Sequence, residues 1–264
     1  MAYLNRIPKI GSNWTTYELL AYNIKVSLES PLDFFGYDPD NANTLLDTLD
    51  PHLVSDSLDQ DRANLSLQTS RFLNHLDYAS SVNVGKETSP EDFLRELLLV
   101  TEYEEHGLYL RSSQSIPLGI YGMQYSVRAN VCLVKHYTIL LLVVQASLNE
   151  DPEPAMIAAA IGAFQSNNRE RENAGLPRLD EMVIPCITMT GTRPAFYKVP
   201  VSDALSTAVL TAQYPYTPMN VIGCCVPPRR APEGMESPVY RKKVLEHLVA
   251  FRPLAMSLWQ KFLV

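Results

Sequence analysis

The chain has 264 residues, of which 46% are apolar and 19% charged, and it carries a formal net charge of −7 at pH 7. This is the composition of an ordinary globular protein, long enough for one large domain or for one domain with an appendage. Because no run of about 18 apolar residues occurs, a membrane-spanning helix is excluded. The acidic balance also disfavours a nucleic-acid backbone as partner, unless basic residues are concentrated at one place.

The start of the chain and the cysteines indicate a reducing compartment. Residues Met1–Arg6 show no apolar core like that of a signal peptide. The four cysteines lack the Cys-x-x-Cys spacing of a zinc site and lie mostly in apolar, strand-like contexts: Cys132, Cys186, Cys224 and Cys225. This favours buried free thiols over disulfides. We therefore expect an intracellular protein, either cytoplasmic or nuclear.

The first 85 residues are predicted to form an arm and a helical extension. The apolar run Tyr17–Val26 predicts a helix that packs onto the main body. Seven aspartates and no Lys or Arg lie between Asp38 and Asp61, which predicts an acidic surface segment with short helices. A longer helix is predicted over Asp61–Leu76.

Residues 86–226 show the pattern of an α/β core. Two apolar runs, Val127–Val134 and Thr138–Ala146, are separated by a short polar break, and the second is typical of a strand covered on both faces. The turn at Asp151 and Pro152 then begins a helix over Pro154–Asn167. The apolar residues of this helix recur every three or four positions: Met156, Ile157, Ile161 and Phe164.

The remaining elements extend this pattern in both directions. Before the two runs, a helix is predicted over Glu91–Val100, followed by a hairpin of two strands at Leu108–Arg111 and Ile116–Tyr121. After them come two strands at Met182–Met189 and Ala195–Val199, a helix at Ser202–Thr211 and the apolar run Val221–Val226. The aromatic segment Tyr214-Pro215-Tyr216, with Pro218, is interpreted as a packed loop. Residues 227–264 are interpreted as a linker and a long helix, kinked at Pro253.

The fold class predicted from these elements is α/β, with a central mixed β-sheet flanked by helices. We place the core at 86–226, the extension at 1–85 and the closing helix at 227–264, all within one compact domain.

Several phrases of the sequence point to a known family: Ile7–Trp14, Leu140–Val143, Asp151–Pro154 and Gly191–Lys198. On these the chain resembles a large group of uncharacterised proteins from mushroom-forming fungi (basidiomycetes). That group looks like a branch of the PD-(D/E)XK nuclease-like superfamily. The resemblance implies a core of helix, three strands, helix and strand, which is the order predicted above.

In a working member of that superfamily, one strand ends in Asp and the next carries Glu-x-Lys. The carboxylates hold one or two Mg²⁺ ions, and the Lys polarises water or phosphate. The resemblance places Asn130 at the Asp position and Gln145-Ala146-Ser147 at the Glu-x-Lys. All three charged groups are thus absent, and neither a metal nor a cofactor is predicted.

The candidate site consists of Asn130, Gln145, Ser147 and Gln165. Some superfamily members place a glutamine beside the metal, which suggests Gln165, although a polar helix-end residue explains it equally well. Strand alternation puts Gln145 and Ser147 on one face of their strand. If that face meets the one that bears Asn130, the four residues form a neutral polar pocket. The alternative is an amide network whose hydrogen bonds are all satisfied within the core.

Three functions remain open on the sequence alone. The first is a catalytically degenerate nuclease-like protein that acts as a binding or assembly module. The second is an enzyme of unrelated chemistry that reuses the emptied pocket for a small molecule. The third is a nuclease whose ligands have migrated, for example to Glu102 or Glu150. The expected partner is an unknown protein or a small molecule, without nucleic acid or membrane, and homo-oligomerisation is left open.

Overall fold

The computed structural model describes residues 11–41, 46–47, 49–58, 62–80, 90–146, 150–227, 230 and 233–262. Several predicted features therefore lie wholly or partly outside the described residues: the candidate Ser147, the phrase that begins at Ile7, the acidic segment Asp38–Asp61, the predicted helix start at Asp61, and the linker after Pro227. The described residues form an α/β fold in which helices flank a seven-stranded mixed sheet.

The elements are numbered here in chain order. The strands are β1 (Ile24–Leu28), β2 (Tyr109–Ile120), β3 (Met123–Lys135), β4 (Thr138–Ala146), β5 (Glu181–Thr190), β6 (Arg193–Ser202) and β7 (Met219–Cys225). The helices are α1 (Thr16–Ala21), α2 (Pro31–Phe35), α3 (His52–Ser55), α4 (Leu67–Ser80), α5 (Pro90–Val100), α6 (Glu153–Asn173), α7 (Asp203–Thr211) and α8 (Pro238–Trp259). The strand order across the sheet is β1-β7-β6-β5-β4-β3-β2.

The central pair of strands is confirmed. β3 and β4 are antiparallel neighbours joined by a two-residue turn, in which His136 has a φ of +53°. β4 is buried from Ile139 to Val144, as its uninterrupted apolar run predicts. On its other side β4 pairs in parallel with β5, and α6 makes the crossover between them.

The hairpin before β3 differs from the prediction. The two short strands predicted at Leu108–Arg111 and Ile116–Tyr121 are parts of the single strand β2, which pairs with β3 along its whole length. The polar residues between them do not end the strand, although Ser113 adopts a φ of +54° within it. The tight turn is at Tyr121 and Gly122, whose φ values of +57° and +71° suit a two-residue hairpin loop.

The predicted helix over Tyr17–Val26 is wrong in its second half. α1 ends at Ala21, Asn23 adopts a φ of +55°, and the chain continues as β1. Ile24 and Val26 alternate with polar residues, which is the period of a strand, and β1 pairs in parallel with β7 at one edge of the sheet. Helix α4 also begins later than predicted, at Leu67 rather than near residue 61.

Helix α6 is the most buried helix of the core, with apolar residues covered on all sides from Met156 to Phe164. It extends beyond the predicted end at Asn167. A Cβ atom at Gly162 would lie 3.1 Å from the carbonyl oxygen of Pro117, so glycine allows α6 to lie close to β2.

Amide side chains fasten the second half of α6 to the sheet. Asn167 accepts a hydrogen bond from the N–H of Ile139 (2.8 Å) and donates one to its carbonyl oxygen (2.9 Å). Pairing between β4 and β5 begins only at Leu142, so Asn167 takes the place of a neighbouring strand at Ile139. Asn168 bonds both backbone groups of Leu179 in the same way.

Helix α8 covers the other face of the sheet. Phe251 packs against Phe196 of β6, with ring centroids 4.9 Å apart. In the part of the chain that the structure describes, no helix is both long and apolar enough to cross a membrane.

The contact between Asn167 and Ile139 gives the first prediction. Asn167→Ala leaves a buried N–H and a buried carbonyl without partners, so the free energy of unfolding should fall by about 3 kcal/mol. Urea unfolding followed by circular dichroism measures this. Arg169→Ala, at an exposed position two residues away, is the matched control and should change stability little. Equal stability of the two variants would contradict the role given to Asn167.

Candidate functional site

A cleft of about 560 Å³ opens where β4 ends and α6 begins. We call it the β3–β4 cleft. Its lining comes from the segment before and within α1, from β3 and β4, and from the turn into α6: Asn13, Trp14, Thr15, Thr16, Arg128, Asn130, Val144, Gln145, Ala146, Glu150, Asp151, Pro152, Pro154 and Ala155. Two of the four candidate residues, Asn130 and Gln145, therefore line one cleft.

The contact between these two residues is not the one predicted. The register pairs Val131 with Val143 and Cys132 with Leu142, which aligns Asn130 with Val144 rather than with Gln145. The two candidate side chains are therefore offset by one position, so the condition set for the four-residue pocket, that the two strand faces meet, does not hold for Asn130 and Gln145. Instead, the Asn130 side-chain oxygen accepts a hydrogen bond from the main-chain N–H of Gln145, at 2.8 Å.

The amide of Gln145 is only partly satisfied. Its side-chain oxygen is buried and has no hydrogen-bond partner within the described structure. A buried acceptor without a donor is costly, so this oxygen would gain from a hydrogen-bond donor such as a water molecule.

Gln165 lies elsewhere. Its side-chain oxygen accepts the N–H of Gly119 at 2.7 Å, and its amide nitrogen donates to the carbonyl oxygen of Gly119 at 3.3 Å. Ten residues of helix separate it from Ala155 in the cleft, which corresponds to roughly 15 Å along α6. Gln165 thus connects α6 to β2. It is not the helix-end residue that the sequence offered as an explanation, because α6 continues to Asn173, and it does not join Asn130 and Gln145 in the cleft.

The charged groups of the cleft are engaged with the protein itself. Arg128 pairs with Glu91 of α5 and donates to the Ser113 hydroxyl (3.0 Å). Asp151 accepts the N–H of Glu153 at 3.0 Å and so caps the first turn of α6. Glu150, the third charged lining residue, is exposed and lies next to Asp151 in the chain, so two acidic residues and one paired arginine line the cleft.

Glu153, the first residue of α6, points away from the cleft entrance toward the sheet. Its carboxylate accepts a hydrogen bond from the Tyr197 hydroxyl at 3.0 Å. Burial raises the pKa of Glu153 above its ordinary value; the bond from Tyr197 opposes the rise and nearby Asp151 adds to it. Among the described residues, no group of three His, Cys, Asp or Glu side chains could hold a metal ion.

The sequence did not identify Trp14 as part of this site. Trp14 is buried and stacks on Tyr22, with ring centroids 5.5 Å apart, and it forms a wall of the cleft opposite the strands. The sequence did indicate that Trp14 is buried, because a Trp in an otherwise polar arm is seldom left exposed. The part of the sheet that Trp14 contacts depends on the path of the N-terminal arm, and the spacing of apolar residues along the chain does not predict that path.

All four cysteines are free, as expected, and the expectation that they are buried holds for three of them. Cys132, Cys186 and Cys224 are buried, whereas Cys225 at the end of β7 is exposed. Burial raises the pKa of Cys132 and of Cys224 to about 12, which makes both thiols unreactive at neutral pH.

The bond from Gln145 to Asn130 gives the second prediction. Asn130→Ala should lower the free energy of unfolding by about 1 kcal/mol, because the Gln145 N–H loses its acceptor, while Asn130→Asp retains an acceptor and should cost less. Ser126→Ala, at an exposed position of the same strand, is the control. If Asn130→Ala is as stable as that control, the bond does not hold the strand ends together.

Comparison with known proteins adds no relative. No protein-family model matches the sequence, and no curated protein matches it either. What this chain does must therefore be inferred from the geometry of its sites.

Proposed function

We propose that this protein is a catalytically degenerate member of the PD-(D/E)XK nuclease-like superfamily, which acts as a binding or assembly module and does not cleave nucleic acid. The order of elements supports the ancestry. α5, β2, β3, β4, α6 and β5 follow one another along the chain, which is the helix, three strands, helix and strand that the resemblance implies.

The observation that carries the proposal is the chemistry at Asn130, within β3, and at Gln145, near the end of β4. The oxygen of Asn130, at the expected Asp position, is bound to the main chain of Gln145. Gln145 itself is neutral. The strand register gives a second way to choose the positions on β4 that correspond to the Glu and the Lys. It places Val144 opposite Asn130, with Ala146 on the same face, and both are apolar. Mg²⁺ is normally bound through one or two carboxylates, and neither assignment supplies one.

A nuclease with migrated ligands finds less support. It needs at least two carboxylates that converge on the strand ends, together with a cation that polarises the attacking water or the phosphate. Asp151 lines the β3–β4 cleft but caps α6, and Arg128 is paired with Glu91. Of the two substitutes named from the sequence, Glu102 pairs with Arg252 and does not line the cleft. Glu150 lines it, but belongs to no group of three metal-ligating side chains among the described residues.

Reuse of the cleft for a small molecule is the second candidate function. The buried, unpartnered oxygen of Gln145 favours it, and a volume of about 560 Å³ falls within the range of ligand pockets. Native mass spectrometry of the freshly purified protein distinguishes the two candidates, because only the second requires a bound small molecule.

The proposal predicts that the protein does not hydrolyse DNA or RNA. At micromolar protein, with Mg²⁺ or Mn²⁺, labelled single-stranded and duplex substrates should stay intact, because Asn130 and Gln145 offer the ion neutral oxygens instead of carboxylates. The Asn130→Ala variant, purified in parallel, reveals any contaminating nuclease, since contamination cleaves equally in both preparations. Cleavage by the wild-type protein that is lost in Asn130→Ala would overturn the proposal.

Binding of duplex DNA without cleavage is a separate prediction. Non-specific affinity comes mainly from Lys and Arg contacts with phosphates, and we expect a dissociation constant no tighter than roughly 10⁻⁴ M at physiological salt. Near the cleft, acids outnumber bases and Arg128 is already paired. Fluorescence anisotropy with a labelled duplex measures the affinity. Saturable micromolar binding that weakens steeply with added salt would reveal a basic surface and contradict this expectation.

A further inference from the structure

A second cavity, of about 660 Å³, lies at the opposite end of the sheet. We call it the tyrosine pocket. It is enclosed by the start of β5, the end of β6, helix α7, the segment between α7 and β7, and the first residues of β7: Glu181, Pro200, Ser202, Ala204, Leu205, Thr207, Ala208, Gln213–Pro218, Met219 and Asn220. All of these residues belong to the described part of the chain.

Two tyrosines stand out from the wall of this pocket. Tyr214 is 56% exposed and Tyr216 is 99% exposed, so the packed loop predicted from the sequence is wrong for both rings. Neither ring contacts another aromatic ring in the described structure. Their faces and hydroxyl groups are therefore open to a partner.

The loop that carries the tyrosines is fixed at several points. The side chain of Asn23 donates a hydrogen bond to the carbonyl oxygen of Pro215 at 3.1 Å. The N–H of Gln213 bonds to the carbonyl of Ala208 at 2.8 Å, and Pro218 restricts the other end. A tyrosine on a fixed backbone loses little conformational entropy on binding, so both rings are suited to contact a partner.

The charge of the pocket is negative. Glu181 is its only lining group charged at neutral pH, and it makes no ion pair with any described residue. The nearby cation Arg178 does not neutralise it, because Arg178 is held by Glu172 (2.9 Å) and Asp203 (2.8 Å). The pocket thus combines an unpaired carboxylate with two exposed aromatic rings.

We propose that the tyrosine pocket binds an arginine side chain of a partner protein. A planar guanidinium can stack on a tyrosine ring and at the same time bind a carboxylate through two parallel hydrogen bonds. Tyr214 or Tyr216 supplies the ring, and Glu181 supplies the carboxylate. The inference rests on the binding function proposed above and specifies the chemistry of the partner.

The test uses two small probes that differ mainly in charge, N-acetyl-arginine amide and N-acetyl-citrulline amide. Each is titrated into ¹⁵N-labelled full-length protein while amide chemical shifts are followed. The arginine probe should shift the amides of Ala204–Ala208 and Gln213–Asn220, with a dissociation constant on the order of 1 mM. The citrulline probe should bind about tenfold more weakly, because it is neutral.

Three variants connect the result to the pocket. Glu181→Gln should abolish the preference for arginine over citrulline, and Tyr216→Ser should weaken binding of the arginine probe. Tyr137→Ser is the matched control, since Tyr137 is an exposed tyrosine (70%) in the β3–β4 turn, and it should leave binding unchanged. Because all three positions are exposed, we expect every variant to fold.

Several results would overturn the inference. These are equal affinity for the two probes, shifts outside the pocket only, or a preference for arginine that persists in Glu181→Gln. Shifts that grow with protein concentration alone and vanish in Glu181→Gln would identify a second copy of this chain as the occupant. The failure of this inference is distinguishable from failure of the proposed function, because metal-dependent cleavage tests only the latter.

Discussion

Three amide side chains on one helix hold the sheet in position. Gln165, Asn167 and Asn168 of α6 each bond both the N–H and the carbonyl of a single residue, in β2, in β4 and in the segment before β5 respectively. Apolar contact is not directional, so packed surfaces can slide along each other. Two hydrogen bonds to the N–H and the carbonyl of the same residue do not allow such sliding. These bonds therefore fix α6 along its own axis, and with it the place where α6 begins.

The start of α6 in turn decides the character of the β3–β4 cleft. A helix N-terminus normally attracts anions through its free N–H groups and its dipole. Here the N–H of Glu153 is bound by Asp151, Pro154 has no N–H to offer, and both acids offset the positive end of the dipole. Asn130 and Gln145 on the strands are neutral, and the helix start beside them does not favour phosphate.

The sequence predicted the elements whose patterns are long and apolar, and it failed where tertiary contacts decide. β4 and α6 were predictable because burial on both faces of a strand, or on all sides of a helix, requires an apolar sequence. β1 was missed because it has only five residues and follows a short helix directly. So short a segment does not show whether its apolar residues repeat as in a strand or as in a helix. Gln165 was ambiguous for a different reason. An amide side chain uses the same two atoms to bond a neighbouring backbone or to bind a ligand, and only the position of β2 shows that Gln165 bonds the backbone.

The two cavities differ in what a ligand would gain. β4, β5 and β7 run in the same direction, so the β3–β4 cleft lies at the carboxyl ends of the strands and the tyrosine pocket at their amino ends. Carboxyl ends are where open α/β sheets usually bind ligands, yet here Asn130 and Arg128 already have partners that a ligand would have to displace. Glu181 and Tyr216 have no such partners among the residues that the structure describes. Because binding energy is the difference between new bonds and those given up, a charged partner would gain more at the amino ends of the strands than at their carboxyl ends.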